Sequence, residues 1–250
     1  MSPSATGVKS LTEPVGYLGG RWMLHPEVLA PCRDAGYPHG YAYYVAGRGG
    51  VLGEVDSDVI AAAFGFFEPS LVRKMWDIGV AVEGAAAAAT RYGAACAQFG
   101  RKRLAGFDGA TRTAELAGRV ANGADIAGLP LFAGWRNQPV PDDAEGRAYF
   151  LMHVLRELRG GAHLSAVVAT GLGPRAAVFA SGGADMAKQF GWAEPFDDLA
   201  GATKKPTEDL TDEILTRLYG AILSAHEVAE LAELVVAMRS HFDSYVPADG

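Results

Sequence analysis

Residues 142–190 read DDAEGRAYFLMHVLRELRGGAHLSAVVATGLGPRAAVFASGGADMAKQF, and this run decides the fold class. Asp142 and Asp143 offer cap oxygens to the free amides of a helix expected from Ala144 to Leu158. Arg159-Gly160-Gly161 is expected to break it, because glycine is the poorest helix former after proline. Helical spacing resumes from His163 to Thr170, Gly171-Leu172-Gly173-Pro174 turns, and Arg175 to Ala180 and Ala184 to Phe190 make two further short helices. Brief helices joined by glycine-rich turns have the rhythm of a helix-turn-helix, and Trp192 to Thr207 has the Pro, Gly and Lys content of a wing or loop.

The flanking segments carry the same helical period. Glu208 to Leu223, opened by Thr207, and His226 to Phe242 are amphipathic helices. Earlier in the chain, Val15 to Arg33 fits a helix interrupted at Pro26 and Pro31, and Tyr41 to Arg48 is a short buried one. Asp56 or Ser57 caps Val59 to Phe67, which is apolar nearly all round and is therefore expected at the centre of the fold. A helix opened by Pro69 and Ser70 runs through Trp76, Val82 to Leu104 is one long Ala-rich helix, and Ala110 to Asn122 another. Arg101-Lys102-Arg103 complements the dipole at a helix end better than it makes a phosphate patch. Convincing β alternation is scarce. The expectation is a mainly α fold: a flexible stretch over 1–14, a helical lobe over 15–140, and a second lobe over 141–250 containing a degenerate winged helix-turn-helix, with at most one small wing hairpin.

Composition excludes several function classes. The 250 residues are 49% hydrophobic and 20% charged, ordinary for a globular chain. No signal-peptide pattern and no apolar run of roughly 20 residues is present, so a cytoplasmic protein with no membrane contact is expected. Cys32 and Cys96 lie far apart with no metal-ligand spacing and read as reduced, packed thiols; neither a metal nor a cofactor is called for. The net charge is −7, and from residue 183 onward five Lys or Arg stand against thirteen Asp or Glu. That acidic C-terminal lobe has the wrong sign for phosphates and argues against a nucleic-acid partner. Walker, dinucleotide-binding, nucleophile-elbow and HExxH motifs are absent.

The densest polar cluster on apolar surroundings is His153, Arg156, Glu157, Arg159 and His163. His153 and Glu157 are four apart and share a helix face, which suits an acid-base pair or two metal ligands, but no third ligand stands at helical spacing. Arg-Glu pairing explains the cluster equally well. His163 and Glu157 are the candidate catalytic groups. Arg48 sits among aromatic residues in an apolar segment; an ion pair to Glu157 or Glu27 makes it architectural, an unpaired guanidinium facing a cavity makes it a binding group. Tyr44, Arg156, Arg159 and Phe67, with His25 and Arg21 near the amino end, complete the candidate ligand-binding set. The many rings are either core or the lining of a pocket for a flat organic molecule.

Four ordered motifs, YYVAGRGGVLG over residues 43–53, FGFFEP over 64–69, LRELRGGAH over 155–163 and Gly191-Trp192, resemble the actinobacterial SalK-type family. The resemblance implies a helix-turn-helix or winged-helix-like fold and an association with natural-product gene neighbourhoods. The chain departs from it in carrying RGGAH where an acidic residue is expected before the Gly-His end. Three functions are in play: a binder or cofactor-independent enzyme for an aromatic, natural-product-like small molecule in a pocket between the lobes; a transcriptional regulator reading DNA through residues 163–190; or a partner protein that buries an apolar face in a homodimer.

Overall fold

Pro26, Pro69, Pro130, Pro174 and Pro206 each stand in the first turn of a helix, where no intrahelical donor is required. The computed structural model describes residues 5–247. The chain runs through α1 (Ala5–Arg21), α2 (Pro26–Leu29), α3 (Gly40–Gly49), α4 (Ser57–Phe64), α5 (Pro69–Glu83), α6 (Ala85–Arg103) and α7 (Ala110–Gly123). It continues as α8 (Pro130–Arg136), α9 (Ala144–Ala169), α10 (Pro174–Gln189), α11 (Lys205–Gly220) and α12 (Ala225–Asp243). The fold is mainly α, and no strand occurs among the described residues.

At the centre lies α9. Asp143 caps it, accepting from the Gly146 N–H at 2.8 Å, and α1, α6, α7, α8 and α11 all pack on its sides. From Ala148 to Leu155 every residue is buried, because neighbours cover that stretch on all sides. On one flank α3 packs against α5 and α6, with α4 on α5. The C-terminal α12, opened by a capping box between Ser224 and Glu227, lies against α1 and α7.

Several expectations are corrected. Residues 5–14, expected to be flexible, belong to α1, with Val8, Leu11 and Val15 buried; residues 1–4 lie outside the described chain. The boundary at residue 140 does not divide the core, since one cluster runs from Val8 to Phe242 across it. A smaller cluster of Val178, Ala187 and Phe196 holds together a satellite formed by α10 and the segment after it. No break occurs at Arg159-Gly160-Gly161: α9 is continuous for 26 residues, and a Cβ at Gly161 would lie 2.6 Å from Leu129. The Leu129 side chain at the entrance to α8 approaches closely there, and no turn is involved. Residues 192–204 form no hairpin and carry only the 3-10 turn Asp197–Leu199. The helix expected over 82–104 divides at Gly84, whose φ of 79° lies in the left-handed region.

No single helix among the described residues is long and apolar enough to cross a membrane.

Gly16 and Gly19 of α1 give a direct test of the α1–α9 contact. A Cβ at Gly16 meets nothing within 4 Å, whereas one at Gly19 would lie 2.5 Å from the Met152 carbonyl oxygen and 2.8 Å from Arg156 Cβ. In urea unfolding, Gly16→Ala is expected to stabilise by about 0.5–1 kcal/mol through helix propensity, and Gly19→Ala to destabilise by about 1–3 kcal/mol through overpacking.

Candidate functional site

A cavity of about 1090 Å³ opens between α1, α3, α4, α8, α9 and α10, with the start of α11 at its edge. It accounts for the unusual composition of α4. One side of that helix packs Ile60, Ala61 and Phe64 into the core, while Val59, Ala62 and Ala63 line the cavity, Val59 with 48% of its surface exposed. An all-apolar helix here marks a cavity wall and not the centre of the core, which corrects the expected placement. The aromatic wall is built from Tyr41, Tyr44, Phe64, Phe66, Phe67 and Phe190. Phe67 stacks on Phe190 at 4.4 Å between centroids, and Tyr44 lies 5.7 Å from Phe64 and 5.9 Å from Phe67.

Arg48 and Glu157 form a buried, two-pronged ion pair: Nε donates to Oε1 at 2.9 Å and Nη2 to Oε2 at 2.8 Å. The remaining arm, Nη1, donates to the Tyr44 hydroxyl at 3.2 Å. Arg156 donates to the same Glu157 Oε1 at 3.0 Å. Burial pushes the Glu157 carboxyl up, but the charge and hydrogen bonds of Arg48, with Arg156 behind them, outweigh it and hold the pKa at about 2. Glu157 is thus held ionised as the counter-ion of Arg48 and Arg156. By the same geometry Arg48 is architectural.

His153 lies 4.0 Å from Glu157 with no ion pair, because burial lowers its pKa to about 3 and leaves it neutral. Its Nδ1 faces the Gly19 carbonyl at 3.3 Å, its Nε2 has no partner, and the ring is held between Trp22 and Trp135. Among the described residues no three His, Cys, Asp or Glu side chains gather as metal ligands would.

His163 is a different case. Thr211 of α11 donates its hydroxyl proton to the Thr207 carbonyl at 2.7 Å, so its oxygen accepts from His163 Nδ1–H at 2.9 Å. That chain fixes the tautomer: Nε2 carries the lone pair. Nε2 has no partner among the described residues, on a side chain that lines the cavity and stacks on Phe66 at 5.6 Å. Burial first, and then Arg159, lower the His163 pKa to about 4. The site therefore offers a neutral, oriented acceptor beside a partly exposed Arg159, which pairs with Glu208 at 2.9 Å.

Of the candidates read from the sequence, Arg48, Tyr44, Phe67, Arg156, Glu157, Arg159 and His163 converge on this cavity. Arg21 and His25 do not. Arg21 lies over the Tyr17 ring at 5.3 Å, and His25 caps α2 and packs on Phe99. Arg101, Lys102 and Arg103 pair with Asp143 and Glu27, in keeping with a structural role at the end of α6. Sequence reasoning missed Phe190, Val178, Met186 and Lys204 as lining residues, since they lay in what was read as a DNA-binding module and its wing.

Where that module was expected, two helices meet at a bend. The chain bends by 112° from α9 into α10 through residues 170–173, where Gly171 and Gly173 have positive φ, within the range of helix-turn-helix pairs. A family model described as a helix-turn-helix family matches residues 8–198. The chain belongs to that family. No curated protein and no solved structure matches it. The helix that follows the bend, α10, is also a cavity wall, through Ala177, Val178, Ser181, Met186 and Gln189. Three bonds hold its far end to the main body: Glu68 N–H to the Phe190 carbonyl at 2.8 Å, the Tyr41 hydroxyl to the Gln189 carbonyl at 3.0 Å, and Trp192 Nε1 to the Phe66 carbonyl at 2.9 Å.

Acid stability follows from these groups. His153 and His163 take up protons in the unfolded chain near pH 6.5, but when folded resist protonation down to about 3 and about 4, so folding loses stability as pH drops below 6.5. Glu157, lowered from 4.5 to about 2, adds a further loss below 4.5. The urea midpoint is expected to fall between about pH 7 and about pH 5, and to fall less in His163→Asn. An unchanged midpoint over that interval would contradict the assignment of neutral, buried imidazoles.

Proposed function

We propose that this helix-turn-helix-family protein acts through its cavity, binding a flat, natural-product-like small molecule. The observation that carries the reading is the coincidence, in one hollow, of a wall of aromatic rings with partly exposed Arg156, Arg159 and the free Nε2 of His163. Rings supply contact area without much ordering entropy, and a few polar groups fix orientation. The SalK-type resemblance and its natural-product association support the same ligand class. If the bound molecule is also turned over, His163 Nε2 is the group suited to accept a proton, with Arg159 beside it to stabilise developing negative charge, and Glu157 holds Arg48 and Arg156 in place.

The neutral fluorophore N-phenyl-1-naphthylamine tests this without presupposing a ligand. Gly160 lines the cavity, and a Cβ there meets nothing within 4 Å. Wild type is expected to bind the probe at one site per chain. Gly160→Phe is expected to intrude on the hollow beside Arg159 and His163, weaken probe binding and leave thermal stability undiminished. Equal binding by both proteins would refute the cavity reading.

Family membership and the 112° bend favour a second reading, in which α10 contacts DNA. Its two cations are engaged, Arg175 with Asp198 and Lys188 with Glu194. Those pairs would have to open to reach phosphates. Fluorescence anisotropy with a duplex from the protein's own promoter discriminates: on this reading binding weakens steeply with salt and Lys188→Gln reduces it, and its absence at low salt leaves the cavity reading alone.

A further inference from the structure

Charge distinguishes the cavity from the rest of the molecule. The chain is acidic overall, yet four cations, Arg48, Arg156, Arg159 and Lys204, line the end of the cavity near α9 and α11 against two carboxylates, Glu157 and Glu208. Glu13 and Asp58, the other lining carboxylates, lie away from that end and pair outside the lining, Glu13 with Arg239, which Asp243 shares, and Asp58 with Arg73. Two positive charges are left over.

Resting on the cavity reading above, we propose that the ligand is an organic anion, a flat apolar body bearing one carboxylate-, sulfonate- or phosphate-type group received by Arg156, Arg159 and Lys204. A guanidinium has five N–H donors. Arg156 gives one bond to Glu157 and Arg159 one to Glu208, which leaves most of both forks uncommitted among the described residues. Lys204 has no ion-pair partner among them, whereas its neighbour Lys205 is tied to Asp209. A neutral ligand would leave these donors unanswered in a partly desolvated site, and a cation would meet the surplus charge directly; an oxyanion satisfies both. The aromatic wall of Phe64, Phe66, Phe67 and Phe190 then takes the apolar body.

Two fluorophores separate this proposal from the one it rests on. 1-Anilinonaphthalene-8-sulfonate has the ring system of N-phenyl-1-naphthylamine with one sulfonate added. Wild type is expected to hold the sulfonate roughly tenfold more tightly at low salt, the advantage shrinking as salt is raised. Lys204→Gln, at an exposed position, is expected to weaken the sulfonate roughly three- to tenfold while shifting the neutral probe by less than about twofold, and Arg156→Gln to weaken the sulfonate by more than it weakens the neutral probe. Neutral-probe binding also reports that each variant keeps its cavity. Equal affinity of wild type for both probes overturns the anion proposal and leaves the cavity intact as a site for neutral ligands. A sulfonate preference unchanged in both variants overturns the assignment of these residues. Failure of the sulfonate alone overturns the anion proposal, and failure of both probes removes the cavity reading and this proposal together.

Discussion

The bond between Arg48 and Glu157 is the constraint from which the rest of the site follows. It joins α3 to α9 across 109 residues of sequence, with both side chains almost wholly buried. Taking two charges out of water is unfavourable by several kcal/mol each, and is tolerated only where hydrogen bonding is nearly complete. Here the carboxylate receives three donors, the guanidinium lies 4.5 Å over the Phe64 ring, and the Arg48 carbonyl accepts from Trp135 Nε1 at 3.1 Å. One residue thereby registers α3 against α4, α8 and α9. Apolar residues of similar volume could fill the same space, but would not dictate which face of α3 meets α9. The pair fixes Tyr44 and Arg156 at the cavity wall.

From that registry comes the relation between the cavity and the helix-turn-helix element. The far end of α9 turns through two glycines into α10, which closes the hollow while drawing its own support from the small cluster of Val178, Ala187 and Phe196. A backbone break at Gly182 and Gly183 divides α10 into two halves, and both contribute lining residues. The cavity and the bend between α9 and α10 therefore share one surface. The cavity proposal and the DNA proposal thus both involve α10.

Much of this was legible in the sequence. Caps and first-turn prolines located most helix starts, because their physics is local. The cluster of Arg156, Glu157, Arg159 and His163 stood out for a sound reason: charge in an apolar helix needs a partner. What failed was non-local. Gly160-Gly161 reads as a break unless one knows that Leu129 must approach Gly161 and that Gly160 faces a void. The apolar α4 reads as core unless its second face meets a cavity. Arg48 had two partners on offer, and only the fold chooses Glu157, leaving Glu27 to Arg103 and Lys102.

The division of labour within the cavity sharpens what family membership means. The matched span, residues 8–198, contains the aromatic wall, the Arg48–Glu157 bond, Arg156, Arg159 and His163 itself. The groups that set the polarity of His163 lie beyond it. Thr207 and Thr211 fix the tautomer through their hydrogen-bond chain, Glu208 holds Arg159, and Lys204 adds the unmatched charge. Without α11 the imidazole could rotate or exchange its proton between nitrogens, and the acceptor would lose its direction. The aromatic wall thus lies within the part of the chain that the family model matches, while the partners of His163 and Arg159 come from the helix that follows it.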